Sequence, residues 1–68
     1  MTRVPVQSSS IASVGYEDGV LELEYHTNRV YRYFEVPAAI HQELMAAESI
    51  GRFVNEHIRD RYRFIEQP

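Results

Sequence analysis

The stretch VLELEY, residues 20 to 25, most constrains what this chain can fold into. Leu21, Leu23 and Tyr25 fall on one side of an extended backbone, and Glu22 and Glu24 fall on the other. A period of two is the pattern of an antiparallel strand with one face on a core and one toward water. Glu17-Asp18-Gly19 stands just before it as a turn signal, so the run centred on Ile11 to Tyr16 is predicted as the preceding strand. His26-Thr27-Asn28 follows. Asn28 tolerates a positive φ and Thr27 does not, which favours a three-residue loop with Asn28 left-handed over a primed two-residue turn. That loop sets the next register: Leu23 opposite Tyr31, Leu21 opposite Tyr33, and Arg32 flanked by Glu22 and Glu24 on the reverse face. A slip of one residue would face Arg32 toward leucine and both tyrosines toward glutamate. Tyr31 and Tyr33 are therefore expected to point inward.

Beyond this sheet, Val36-Pro37 opens a helix, because proline suits a first helical turn and pushes its predecessor to extended geometry. Ile40 and Leu44 share one stripe of that segment, with Met45 beside them. A second helix follows with Ser49 as its N-cap, and Ile50, Phe53, Val54, His57 and Ile58 form its apolar face. Gly51 in its first turn allows close approach to the sheet. YRFI, residues 62 to 65, reads as a closing strand or an extended tail.

The expected architecture is an α+β domain: a three-stranded antiparallel meander, two short helices on one face, and a short C-terminal strand near Tyr62 to Phe64 as an optional addition. Residues 1–7 are expected as a flexible tail, 8–65 as the single domain and 66–68 as a second tail. The expected core is Ile11, Val14, Leu21, Leu23, Tyr25, Tyr31, Tyr33, Ile40, Leu44, Phe53, Val54 and Ile58. Phe34 and Val36 are expected on the face opposite the tyrosines.

At 68 residues, only roughly 60% of the unfolded chain's surface can be buried, so each large apolar side chain counts. Cysteine is absent, which excludes a disulfide framework and a thiolate metal site and fits a reducing compartment. No stretch is long and apolar enough to span a membrane, and the N-terminus lacks the apolar core of a signal peptide. A cytoplasmic location is the resulting expectation. All seven cations are arginine against ten carboxylates, a formal net charge of −3. That balance counts against a strong nonspecific nucleic-acid binder, whose affinity comes mainly from neutralising phosphates. Exclusive arginine use suits bidentate phosphate or base contacts, but codon bias accounts for it more simply.

The order of signals from Val14 to Phe64 resembles the KTSC domain, a short module named for its place at the C-terminus of some lysyl-tRNA synthetases and found also as a free-standing bacterial protein. The family hallmark, Tyr-x-Tyr, is matched by Tyr31-Arg32-Tyr33. Val36-Pro37, Ala47-x-Ser49-x-Gly51, Asn55, Ile58-Arg59 and Tyr62 are similar too, and the likeness covers residues 8 to 65. Asn28 stands where the family often has glycine, consistent with a left-handed turn residue. The resemblance implies a binding module with RNA as the proposed ligand, and supplies no catalytic residue.

Each candidate group has a plainer reading beside the functional one. Exposed aromatics two residues apart on a sheet can stack unpaired bases. Buried, they fill a core and send their hydroxyls to the rim; the register favours burial of Tyr31 and Tyr33, although one ring can serve partly in both ways. Arg29, Arg32, Arg52, Arg59, Arg61 and Arg63 are the candidate RNA contacts, a local basic strip on an acidic protein. Glu22, Glu24, Glu35, Asp60 and Glu66 are available to neutralise them as a solvated mixed-charge surface. His26, His41 and His57 lack ligand-pair spacing, so no metal is expected, and His57 reads as a packing histidine. No serine sits in a nucleophile elbow and no carboxylate pair has an apolar setting, so neither catalysis nor a cofactor is expected.

Two functions follow from different classes. One is an RNA-binding module, with tRNA foremost, working through the arginines. The other is a protein-interaction or self-association module using a sheet edge or the Val30 and Phe34 face.

Overall fold

A computed structural model describes residues 1–68, which form an antiparallel sheet of five strands with two helices on one face. The strands are β1 (Arg3–Pro5), β2 (Ile11–Glu17), β3 (Val20–Tyr25), β4 (Val30–Tyr33) and β5 (Phe64–Gln67), lying in the order of the chain. The helices, α1 (Ala38–Ala46) and α2 (Ile50–His57), fall between β4 and β5.

The central hairpins form as their turn chemistry dictates. Asp18 (φ 50°) and Gly19 (φ 82°) both take left-handed backbone between β2 and β3, the requirement of a primed two-residue turn. Between β3 and β4, Asn28 has φ 70°, its N–H donates to the Tyr25 carbonyl at 2.9 Å, and the Tyr25 N–H donates to the Arg29 carbonyl at 2.8 Å. The expected three-residue loop is present. Its register pairs Leu21 with Tyr33, Glu22 with Arg32 and Leu23 with Tyr31.

Three features depart from the expected sheet. The segment 1–7, expected as a tail, contributes β1, which pairs Arg3 with Gly15 and Pro5 with Ser13. Pro5 hid it, yet an edge strand tolerates a residue with no N–H to donate. The C-terminal strand lies at Phe64–Gln67 rather than near Tyr62 to Phe64, so it takes in two residues of the expected tail 66–68. The sheet therefore has five strands, not three. Thirdly, pairing steps from Ile11↔Tyr25 to Ser13↔Glu24, so Ala12 is an extra residue in β2. Such a bulge resets the alternation. It explains how Ile11 and Val14, three apart, are both buried in one core.

Glu35, at φ 57°, makes a second reset. It turns Val36 back into the core, where it is 1% exposed, while Phe34 stays on the outer face. Val36 thus does not share Phe34's side, as strict alternation had implied. Its N–H donates to the Gly19 carbonyl at 2.8 Å, and its carbonyl accepts the Tyr16 hydroxyl at 2.6 Å.

Pro37 sits at the cap of α1 in extended geometry, and Leu44 carries that helix into the core. The Ser49 hydroxyl accepts the Arg52 N–H at 3.3 Å and caps α2. Ile50, Val54 and Ile58 are the buried face, each contributing about 1.5–3 kcal/mol of burial. A Cβ on Gly51 would run into the Ser10 hydroxyl, so the close approach of α2 is to the segment 8–10 that leads into β2 and not, as expected, to the sheet itself. The fully buried set is Ile11, Val14, Leu21, Leu23, Tyr33, Val36, Leu44, Ile50, Val54 and Ile58. Tyr25, Tyr31, Ile40 and Phe53, expected within it, pack around its rim. His57, expected to pack inward, is half exposed and lies against the Phe53 ring at 4.7 Å.

Candidate functional site

The register of the central hairpin delivers three phenol rings to one end of the helix-covered face. Tyr25 closes β3, and Tyr31 and Tyr33 stand two apart on β4. Pairing of β4 with β5 then sets Phe64 directly beside Tyr33 on the same face. The rings form a continuous cluster. Tyr25 meets Tyr31 edge to face at 5.5 Å, Tyr31 meets Phe64 at 5.6 Å, and Phe64 meets Tyr33 at 5.3 Å. Tyr33 is 2% exposed, whereas Phe64 is 46% exposed because no strand lies beyond β5. The pair expected in the core is therefore split: Tyr33 is a core residue and Tyr31 faces both the core and a cleft.

That cleft holds about 310 Å³. Its floor is the aromatic cluster, and Arg29, Arg59, Asn55 and Thr27 complete its wall. No carboxylate lines it. Two of the six arginines singled out in the sequence are thus brought together beside the tyrosines. Arg59 makes no ion pair. Arg29 has only a long, exposed contact of 3.8 Å with Glu66. Its guanidinium pKa is raised, first by a hydrogen bond to Tyr31 and then by the Glu66 charge.

Two of the phenols, Tyr33 and Tyr25, are held in the neutral form. Burial raises the Tyr33 pKa well above the ordinary phenol value, and the neighbouring Tyr25 phenol adds to it. Burial also raises Tyr25, against the opposing pull of its contact with Tyr33 and of the Arg59 charge. Both hydroxyls accordingly keep their protons far above neutral pH.

The remaining arginines lie elsewhere. Arg32 is on the sheet's outer face, where its Nε donates to Glu22 Oε1 at 2.7 Å. Arg52 Nε donates to Glu56 at 3.1 Å along α2. Arg61 and Arg63 border a separate hollow of about 300 Å³ with Glu35, Tyr62 and Phe34, and the Arg63 guanidinium lies 5.5 Å from the Phe34 ring centre. Val30 and Phe34, proposed as an exposed face, are half-buried. A third hollow beside Arg32 is bordered by Glu17 and Asp18. The cleft at Arg29 and Arg59 is the one of the three without an acidic wall.

Sequence reasoning missed Phe64, Asn55 and Thr27 as site residues. Asn55 is in the last turn of α2 and Arg59 lies just past its C-cap Ile58, where the Arg59 N–H donates to the Val54 carbonyl at 2.8 Å, so their meeting depends on how the helix ends and not on helical spacing. Phe64 depended on the register of β5, which no local turn announces. The histidines occupy three separate places: His26 Nε2 lies 2.9 Å from the Ser8 carbonyl oxygen, His41 stacks on Tyr16, and His57 lies on Phe53. No helix is long and apolar enough to cross a membrane.

Comparison with known proteins places these features in a family. The family model for the KTSC domain matches residues 7–62. A protein of Tsukamurella paurometabola is 41% identical over 63 residues, 90% of this chain and 94% of that protein. An uncharacterized protein of Stutzerimonas stutzeri is 42% identical over 67 residues, 94% of each chain. A lysine–tRNA ligase of Nostoc punctiforme is 32% identical over 60 residues, 85% of this chain but 11% of the ligase. The crystal structure of a KTSC domain protein from Yersinia pestis superposes with a TM-score of 0.94 at 36% identity, covering 98% of this chain and 97% of that one. The chain belongs to the KTSC domain family.

Proposed function

We propose that this domain is a non-catalytic RNA-binding module that works in the cytoplasm and contacts RNA at the aromatic cleft. The observation that carries the reading is that Arg29 and Arg59 line the same cleft as the tyrosine and phenylalanine cluster, with no carboxylate in its wall. Guanidinium groups suit phosphate, and aromatic faces suit bases; together they are the chemistry of a nucleic-acid groove. A net charge of −3 argues against binding spread over the whole surface and for a local basic feature. The similarity to a segment of a lysine–tRNA ligase makes tRNA the RNA to try first.

The test is an NMR titration of the labelled chain with tRNA at low and moderate salt. The reading expects shifts at Arg29, Tyr31, Arg59 and Phe64 that weaken as salt rises. No shift at low salt, or shifts gathered at Arg52 on α2, would reject it.

One observation favours protein association instead. β5 is an uncovered sheet edge carrying Phe64 and Ile65, which are 46% and 50% exposed. An open apolar edge can pair with another strand. Ile65 pairs with Arg32 and so lies on the face away from the cleft. An Ile65→Glu substitution would therefore disrupt association while leaving RNA binding in place, whereas nuclease treatment would do the reverse.

A further inference from the structure

Resting on the RNA reading, we infer that the cleft takes a single unpaired nucleotide, so the domain selects single-stranded or terminal RNA over duplex. The volume comes first. At about 310 Å³ the cleft lies at the lower end of the range for small-ligand pockets, roughly 300–1,000 Å³. One base with its sugar and phosphate is of that size; two paired nucleotides with both their backbones are too large for it.

The available stacking surface agrees. Tyr33 is sealed in the core, and Tyr31 is flanked by Tyr25 on one side and Phe64 on the other. Phe64 is the one aromatic of the cluster with a broad exposed face, because it stands on the terminal strand of the sheet. One free ring face accepts one base. Inside a duplex each base is already stacked above and below and only the end pairs keep a free face, so an interior base presents none to Phe64 until it is unpaired.

The placing of charge argues the same way. Duplex RNA is recognised by shape, through phosphate and 2′-hydroxyl contacts spread across two successive minor grooves. That demands cations distributed along one face. Here Arg32 and Arg52 are held by Glu22 and Glu56, while Arg61 and Arg63 border another hollow together with Glu35. The cations facing the cleft are two, Arg29 and Arg59, set beside the aromatic floor. Two guanidinium groups lining one small cleft suit the phosphates flanking one nucleotide.

The test compares a single-stranded oligoribonucleotide, a blunt duplex of the same sequence and a nucleoside monophosphate, each titrated into the labelled full chain. The single strand binds at least tenfold more tightly than the duplex, and the monophosphate shifts the same Tyr31 and Phe64 ring resonances at higher concentration. Phe64→Leu keeps the apolar bulk against Tyr33 but removes the π face, so it guards against a loss caused by unfolding. It weakens single-strand binding about tenfold, as expected for a lost base–aromatic stack, and leaves duplex binding unchanged. If the duplex binds as tightly as the single strand, or Phe64→Leu changes nothing, the inference is overturned while RNA binding itself stands. If none of the three ligands binds, both readings fall.

Discussion

Arg3 reaches Glu22 by passing over Gly15. The three residues stand in one row across β1, β2 and β3, with Arg32 next in line on β4. A Cβ on Gly15 would lie 3.0 Å from Arg3 Cγ and 3.1 Å from Met1 Sδ, so the missing side chain is the channel through which Arg3 crosses. Arg3 Nη1 donates to Glu22 Oε2 at 2.8 Å while Arg32 Nε donates to Oε1 at 2.7 Å. A carboxylate on the outer face of a sheet is thereby enclosed, 5% exposed, between two guanidinium groups.

Glu22 should control acid stability. Burial alone would raise its pKa, but the hydrogen bonds from Arg32 and Arg3 outweigh this and hold it below the ordinary carboxylate value of 4.5. A group with a depressed folded pKa contributes stability that is present above the unfolded pKa and lost as pH falls through the folded one. Thermal melts should therefore show a Glu22-dependent loss beginning below about pH 4.5, and Glu22→Gln should flatten that part of the profile. Arg32→Ala should cost about 1 kcal/mol, because the arginine is part exposed, and Arg3→Ala with Arg32→Ala together about 3 kcal/mol. In the double variant the Glu22 pKa, read by carbon NMR, should rise.

The alkaline side should show a phenol signature. Tyr33 and Tyr25 both have folded pKa values raised by burial. Their contribution is present below the unfolded phenol pKa, about 10, and is lost as pH rises through the raised folded values. In an ultraviolet titration, two of the five tyrosines should ionise late, coupled to unfolding. Tyr33→Phe should remove one late-titrating group and shift the alkaline transition upward.

The tyrosine hallmark should divide energetically. Tyr33→Ala should cost about 3–5 kcal/mol, the range for removing a buried aromatic ring, which in a domain this small abolishes a cooperative melt. Tyr31→Ala should cost about half as much, because its ring is only partly enclosed. Denaturant melts of the two variants would decide this. Equal effects would mean that the rings are equivalently buried.

The left-handed turn at Asn28 should show as a substitution asymmetry. Asn28→Gly should be neutral to slightly stabilising, since glycine adopts φ 70° without strain. Asn28→Val should cost about 1–2 kcal/mol at that backbone geometry. Urea midpoints of the two variants provide the check.

Much of the centre of this molecule was legible in the sequence. The two hairpins of β2, β3 and β4 carry their own turn residues, Asp18-Gly19 and Asn28, so their register follows from adjacent positions. Ser49 likewise announces α2. The edges were not legible in the same way. β1 is three residues long and contains a proline, and it owes its place to pairing with β2 rather than to any pattern of its own. β5 returns after two helices, so its register depends on tertiary packing. Val36 entered the core through the left-handed Glu35, a position where glutamate gives no local warning. The candidate site inherits the same division. Tyr31 and Arg29 followed from the hairpin, but Phe64 became a partner only once β5 was in place. Arg32 and Arg59 look equivalent in the sequence; the fold ties one to Glu22 and turns the other toward the cleft.

The most direct measurement of the central claim is the affinity for tRNA of Arg59→Ala and Arg52→Ala, each compared with the unsubstituted chain across a salt series. Arg59 lines the cleft without an ion pair, whereas Arg52 is engaged with Glu56 on the far part of α2. Arg59→Ala should weaken binding about five- to tenfold and reduce the salt slope by about one, as removal of a single phosphate contact does. Arg52→Ala should leave both quantities unchanged. Equal losses from the two substitutions, or no loss from Arg59→Ala in a folded protein, would contradict the assignment of the cleft as the RNA contact.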